Sequence, residues 1–178
     1  MKHLFQILPG IVVPDGSTVH EIVSPRQLNR EGLRVNDGVS AALGDLPAGT
    51  RSSVHVHPIV WHFSWVVEGA LTVMMKDLES PDPDRLTVAA NHGVLAEPGS
   101  FFQLINDGTS SCQVMYIVGP AFVFETADDG SVVYNDAIVL PHTWEELREQ
   151  NWEPPECGKL EDIRIAREES LRRLAITN

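Results

Sequence analysis

Residues 49–69 read GTRSSVHVHPIVWHFSWVVEG. Three of the seven histidines in the chain, His55, His57 and His62, fall within eight residues of this stretch. Side chains two apart on a strand share a face, so we expect the imidazoles of His55 and His57 to project together. Pro58 should end that strand, and an antiparallel return should bring His62 beside the pair from an adjacent strand. Three converging imidazoles suit Zn, Fe, Ni, Cu or Mn, so the stretch predicts a metal site.

The sequence around this stretch predicts an all-β domain. Between residues 35 and 140, short runs rich in Val, Ile, Leu, Thr and aromatic residues alternate with Gly, Pro, Asn or Asp, which is typical of a β-sandwich or β-barrel. Residues 67–70 are expected to form a tight hairpin turn between two of these strands. The predicted strands are Ser53–Val56, His62–Val67, Ala70–Met75, Leu86–Ala90, Gly93–Glu97, Phe101–Asn106, Gln113–Val118 and Phe122–Glu125.

Both ends of the chain are expected to differ from this central barrel. Residues 1–34 should form a strand and a short helix that begins near Ser24, with Pro25 at its first position. Residues 141–178 should form a helical tail, with one helix opening at Thr143 in a capping box. We expect this tail to lie on the barrel or fray from it, with an interface helix as the alternative.

Composition excludes several functional classes. The chain has 178 residues and a net charge of −12, which disfavours binding to nucleic acids and anionic membranes because both are negative. No apolar run reaches the length that crosses a bilayer, and the N-terminal stretch does not resemble a signal peptide. Two cysteines, Cys112 and Cys157, are too few for a disulfide scaffold, so we expect free thiols and a cytoplasmic location.

The spacing of the histidine stretch also matches a known motif. The pattern Gly-x5-His-x-His-x4-His-x6-Gly, running from Gly49 to Gly69, resembles the first motif of the cupin superfamily. The one departure is His62, which stands where that family has a glutamate. A second, weaker match begins at Pro98-Gly99 and ends at Asn106, with Phe102 in place of the family's histidine. The resemblance covers about residues 48–118 and implies a jelly-roll barrel, or double-stranded β-helix, with a metal inside.

These two departures preserve three imidazoles but remove the carboxylate, so the predicted site is neutral and leaves a bound metal its full charge. Phe102 replaces a donor with an apolar wall and leaves a coordination position open. Gln103 is a candidate fourth ligand, although strand alternation would point it away from Phe102 unless a bulge intervenes. His92 is a weaker candidate ligand, and Glu68 is expected to be only a turn residue. The predicted lining of the substrate pocket is Ser64, Met74, Phe102, Leu104 and Tyr116.

The resulting hypothesis is a metal-dependent enzyme. We favour a non-haem Fe(II) dioxygenase-like protein that acts on a small, partly hydrophobic substrate, because three neutral imidazoles with an open position leave room for O2 and substrate. The alternatives are a Zn- or Ni-dependent isomerase, cyclase or lyase, and a small-molecule-binding cupin without catalysis; Mn is a further candidate metal. The carboxylates are expected to lie away from the site.

The sequence also suggests a partner. The resemblance to cupins implies a homodimer, and the apolar segment from Leu4 to Val13 could form its interface. Trp61, Phe63 and Trp65 alternate with His62, so we expect these aromatic side chains on the face opposite the imidazoles.

Overall fold

A computed structural model describes residues 6–13, 15–23, 38–77, 79–126, 128–129, 132–150, 163 and 165–169. The predicted helix near Ser24, the thiol of Cys157 and most of the predicted tail lie outside these residues. Within them, the structure has thirteen strands. These are β1 (Ile11–Val12), β2 (Thr18–Val23), β3 (Ser40–Leu46), β4 (His55–Val56), β5 (Trp61–Glu68), β6 (Ala70–Lys76), β7 (Asp84–Ala89), β8 (Gly93–Ala96), β9 (Phe101–Ile105), β10 (Cys112–Gly119), β11 (Phe124–Thr126), β12 (Val132–Asn135) and β13 (Ile138–Val139).

The strands form two antiparallel sheets that face each other, and the all-β prediction is therefore confirmed. One sheet has the order β1-β2-β3-β10-β5-β8 and the other has the order β13-β4-β9-β6-β7, while β11 and β12 form a separate pair. The main core lies between the sheets, since its buried side chains come from both. They are Leu46, Val66, Leu71, Val73, Val88, Ala96, Phe102, Leu104, Cys112, Val114 and Tyr116.

The chain changes sheets at Gly69. The predicted hairpin turn here is wrong: β5 pairs with β10 and β8, whereas β6 pairs with β7 and β9. Gly69 is therefore a corner, and its φ of 83° lies in the left-handed region that favours glycine. A Cβ at Gly69 would also lie 3.0 Å from the carbonyl oxygen of Ser111, so the corner has little room for a side chain.

The histidines approach each other across the two sheets. His55 lies on β4 and His62 on β5, and these strands belong to opposite sheets. The expectation of two adjacent strands is therefore wrong, although its consequence, that His62 meets the pair, is correct. The connection around Pro58 carries the chain from one sheet to the other.

Residues 140–150 follow β13 and pack against the outer face of the second sheet. The predicted capping box is present, since the backbone N–H of Thr143 donates to the Glu146 carboxylate (2.7 Å), but the segment forms turns instead of a helix. Only one i→i+4 hydrogen bond forms, from Leu147 N–H to the Thr143 carbonyl, and the following bonds span three residues. The tighter turns bury Leu147 completely and bring the Gln150 carbonyl to Lys76 Nζ (2.6 Å).

The C-terminal helix is docked where the structure describes it. Residues 163 and 165–169 are helical, and Ala166 is buried against Ile59, Val60 and Val118. Arg167 fixes the helix because its guanidinium forms an ion pair with the buried carboxylate of Asp136 (3.0 Å).

In the part of the chain that the structure describes, no helix is long and apolar enough to span a membrane. The boundaries at residues 34/35 and 140/141 stay predictions, and β1 and β2 extend the first sheet from the N-terminal side.

Candidate metal centre and cavity

Three buried imidazoles converge inside the barrel. His55, His57 and His62 are 3%, 4% and 8% exposed, and each offers a ring nitrogen within 4.8 Å of those of the other two. The ring centroids are 5.4 Å apart for His55 and His57 and 5.2 Å apart for His57 and His62. The spacing of the histidines along the chain therefore predicted a real cluster, and its geometry allows all three nitrogens to face one ion.

The imidazole nitrogens are largely without protein partners. Both ring nitrogens of His62 and Nδ1 of His57 are buried and have no hydrogen bond. His55 differs, because its Nδ1 lies 3.0 Å from the Ser53 carbonyl oxygen. A carbonyl only accepts, so Nδ1 carries the proton and Nε2 keeps its lone pair, the arrangement that orients a metal-ligating histidine.

Burial keeps all three imidazoles neutral. It lowers the pKa of His62 to about 3, with His55 as a second cause, and it lowers the pKa of His57 well below the usual value. Burial also lowers the pKa of His55, although Asp15 and the Ser53 carbonyl oppose that shift. Neutral imidazoles keep the lone pairs that a metal requires, so the three residues could hold a metal ion at neutral pH.

Phe102 forms one wall of the cluster. Its ring centroid lies 4.1 Å from that of His55, 5.2 Å from that of His57 and 5.3 Å from that of His62. The register explains this position, because Phe102 is paired with His55 across β4 and β9 and so shares its face. Phe102 therefore excludes water from this side of the cluster.

Gln103 faces away from the cluster. Its amide nitrogen donates to the Ser52 carbonyl oxygen (2.7 Å), and its amide oxygen accepts from Trp144 Nε1 (3.1 Å). The prediction that Gln103 is a fourth ligand is therefore wrong. No bulge interrupts the pairing of β9 with β6, so strand alternation turns the Gln103 side chain outward. His92 is also outside the cluster: it is exposed and its Nδ1 lies 3.1 Å from the Ala90 carbonyl oxygen.

This placement makes a prediction for Gln103→Ala. We expect metal affinity to remain at the wild-type value, while the free energy of unfolding falls by about 1–3 kcal/mol because two hydrogen bonds are lost. Metal titration and urea unfolding of the metal-free protein measure the two quantities. A large loss of metal affinity with little change in stability would show that Gln103 is a ligand after all.

A cavity of about 370 Å³ opens beside the imidazoles. Of the predicted pocket residues, Leu104 and Tyr116 line it. Ser64 and Phe102 are both buried but do not line the cavity. Phe102 contacts the three imidazoles. The prediction that Met74 lines the pocket is wrong. Met74 pairs with Gln103 and shares its outward face, whereas Met75 packs against the core.

Sequence reasoning missed the polar residues of this cavity. Asp15 lines it, with one carboxylate oxygen 3.9 Å from His55 Nδ1 and the other accepting from the backbone N–H (3.0 Å) and hydroxyl (2.6 Å) of Ser17. Glu21 also lines the cavity. The expectation that carboxylates lie away from the site is therefore wrong. The only local signal was the turn around Asp15, which does not show that β2 places this turn beside β4.

Known structures match this chain in fold. No protein-family model matches the sequence, and no curated protein is similar enough to count as a match. A recombinant oxalate oxidase in complex with glycolate is 22% identical, with a TM-score of 0.50 over 61% of this chain and 53% of that one. The CENP-C cupin domain of Drosophila melanogaster is 10% identical, with a TM-score of 0.50 over 61% of this chain and 73% of that one.

A third structure, a Cupin 2 conserved barrel domain protein from Salinispora arenicola, is 16% identical and has a TM-score of 0.48 over 62% of this chain and 80% of that chain. The two structures with TM-scores of 0.50 show a shared architecture, and their identities of 22% and 10% leave chemistry open. The predicted resemblance is thus confirmed for the fold: the chain is a cupin-type double-stranded β-helix.

Proposed function

We propose that His55, His57 and His62 bind one divalent transition metal and that the chain is a metal-dependent enzyme. The observation that carries the proposal is the set of buried ring nitrogens without hydrogen-bond partners in His57 and His62. An unpartnered buried polar group costs about 1–3 kcal/mol, and a metal removes that cost at each ring nitrogen whose lone pair it takes. The residues present therefore fit a metal that prefers imidazole ligands.

We further propose that the metal is Fe(II) and that the chemistry is dioxygenase-like, on a small and partly hydrophobic substrate. When bound, such a metal supplies redox and Lewis-acid chemistry. The three imidazoles contribute no charge, Phe102 closes one side, and the cavity leaves the other side accessible to a substrate. The chain's own residues orient the ligands and exclude water: the Ser53 carbonyl holds His55, and Phe102 shields the cluster.

The structural neighbours of this chain do not distinguish a catalytic role from a binding role. One structural neighbour is an oxalate oxidase and another is the CENP-C cupin domain. The cavity beside the cluster supports a small-molecule site under either reading. A Zn- or Ni-dependent isomerase, cyclase or lyase would use the same three imidazoles, so the dependence on metal and O2 must decide.

Oxygen uptake tests the proposed chemistry. We expect the Fe(II)-loaded protein to consume O2 with at least one member of a panel of small diketones, thiols and catechols, while the Zn(II)-loaded protein consumes none. Fe(II)-loaded His62→Ala, measured beside them, controls for iron free in solution. Substrate turnover with Zn(II) or Ni(II) and without O2 would favour the isomerase, cyclase or lyase, and binding without turnover would favour a non-catalytic role.

The predicted homodimer and cytoplasmic location stay proposals. The apolar N-terminal segment supports a dimer, because β1 is an edge strand whose Ile11 and Val12 are 44% and 76% exposed. Trp61 and Trp65 lie on the outer face, as predicted, and are also partly exposed. Light scattering coupled to size exclusion gives the mass in solution; a mass equal to the monomer's at micromolar concentration would contradict a dimer.

A further inference from the structure

Tyr116 has a buried hydroxyl without a partner. The residue is 5% exposed, and its hydroxyl oxygen makes no hydrogen bond. The ring meets the His62 ring edge-on at a centroid distance of 5.1 Å, and Tyr116 lines the cavity. Because an unsatisfied buried hydroxyl is costly, this position needs an acceptor that the described residues do not provide.

Small residues of β3 border the cavity, since Ser40 and Ala42 are among its lining residues. Ser40, Ala42 and Gly44 alternate along β3, and Ala42 is the register partner of Tyr116 on β10. A Cβ at Gly44 would lie 2.7 Å from the Tyr116 hydroxyl oxygen, so the phenol reaches over this glycine. A volume of about 370 Å³ lies within the range of small-molecule sites, roughly 300–1,000 Å³.

The charges in the cavity restrict its ligand. Among the described lining residues, Asp15 and Glu21 are acidic, and no Lys or Arg is present. Most of the remaining lining is aliphatic or aromatic. A carboxylate or phosphate would therefore meet two acidic side chains and no basic one. An ammonium would meet the acidic side chains favourably, but it has no acceptor for the unpartnered Tyr116 hydroxyl.

We propose that this cavity binds an uncharged, mainly apolar molecule whose carbonyl or similar acceptor oxygen takes a hydrogen bond from the Tyr116 hydroxyl. The hydrocarbon part lies over the small inward residues of β3. The proposal rests on the proposed metal site for the position of the ligand's reacting end, beside His62. Tyr116 is then a residue that determines specificity by donating to the ligand.

Isothermal titration calorimetry with three probes of equal chain length tests the proposal. The probes are 2-octanone, octanoate and octylamine, added to the full chain before and after metal removal. We expect 2-octanone to bind both forms, and octanoate to bind the metal-free form at least about tenfold more weakly, since its charge would be buried beside two acidic side chains. We also expect octylamine to bind the metal-free form more weakly than 2-octanone, since its ammonium cannot accept a hydrogen bond from Tyr116. Tyr116→Phe should weaken 2-octanone binding by about three- to tenfold, the usual effect of one hydrogen bond.

Tyr134→Phe is the matched control, because Tyr134 is also buried but its hydroxyl donates to Asp136 outside the cavity lining. It should leave the affinity for 2-octanone unchanged, whereas Ala42→Val should weaken it by filling the cavity. Absence of 2-octanone binding, equal affinity in Tyr116→Phe and wild type, or tighter binding of octanoate or octylamine to the metal-free form would each overturn the proposal. If the wild type takes up no metal, the proposed function fails, while the metal-free titrations still decide the role of Tyr116.

Discussion

Replacement of His62 by alanine is expected to abolish metal binding. His62 supplies one of three converging imidazoles, and neither of its ring nitrogens has a hydrogen-bond partner among the described residues. Changes to residues that only orient metal ligands already cost about 10–100-fold in affinity, so removal of a ligand should cost more than about a hundredfold. Competition between the protein and a chromophoric chelator, with Co(II), Zn(II) and anaerobic Fe(II), measures the loss.

His92→Ala is the control for this experiment. His92 is exposed and lies outside the cluster, so its loss should leave metal affinity at the wild-type value. If His62→Ala and His92→Ala bind metal equally well, the cluster is a set of packed histidines and not a metal centre. If both variants lose metal, binding also requires His92, and the cluster of His55, His57 and His62 is not the whole site.

Acidification is expected to destabilise the metal-free protein strongly. The folded chain holds the pKa of His62 at about 3, whereas an unfolded histidine has a pKa of about 6.5. Between these two values the unfolded chain takes up a proton that the folded chain does not. The free energy of unfolding therefore falls as the pH falls, by about 1.4 kcal/mol per pH unit for this imidazole. The lowered pKa values of His55 and His57 act in the same direction.

His62→Leu isolates this effect. Without the buried imidazole, the slope of stability against pH below about 6 should decrease by about 1.4 kcal/mol per pH unit. At neutral pH the metal-free variant should also be more stable than the wild type, because two unpartnered nitrogens are replaced by a side chain that packs on Phe102 and Tyr116. Urea unfolding from pH 7 to pH 4 measures both quantities, with His92→Leu as the control. An unchanged slope in His62→Leu would mean that His62 titrates in the folded protein as it does in the unfolded chain.

Local pattern predicted the strands and the residues of the cluster. Period-two alternation placed His55 and His57 on one face, and it placed Trp61 and Trp65 on the face opposite His62. These features depend only on neighbours along the chain, because the side chains of a strand alternate whatever the strand pairs with. The predicted strands from Ser53 to Glu125 accordingly agree with β4 to β11 to within a few residues.

Features that depend on pairing were not predictable in the same way. The sequence shows that β5 and β6 are strands, but it does not show that Gly69 separates them into different sheets. The inward face of β6 was also predicted wrongly, because Met74 was expected to face inward, whereas Met75 faces the core. Asp15 reaches the cavity because β2 pairs with β3, a contact between residues far apart in sequence.

Elemental analysis of the purified chain is the decisive test of the metal centre formed by His55, His57 and His62. The protein, prepared without a polyhistidine tag, is loaded anaerobically with Fe(II), desalted and measured by elemental analysis beside a variant in which His55, His57 and His62 are all alanine. The three-histidine metal centre requires one metal ion for each wild-type chain and none for the variant. Wild-type protein that retains no more metal than the variant would contradict it.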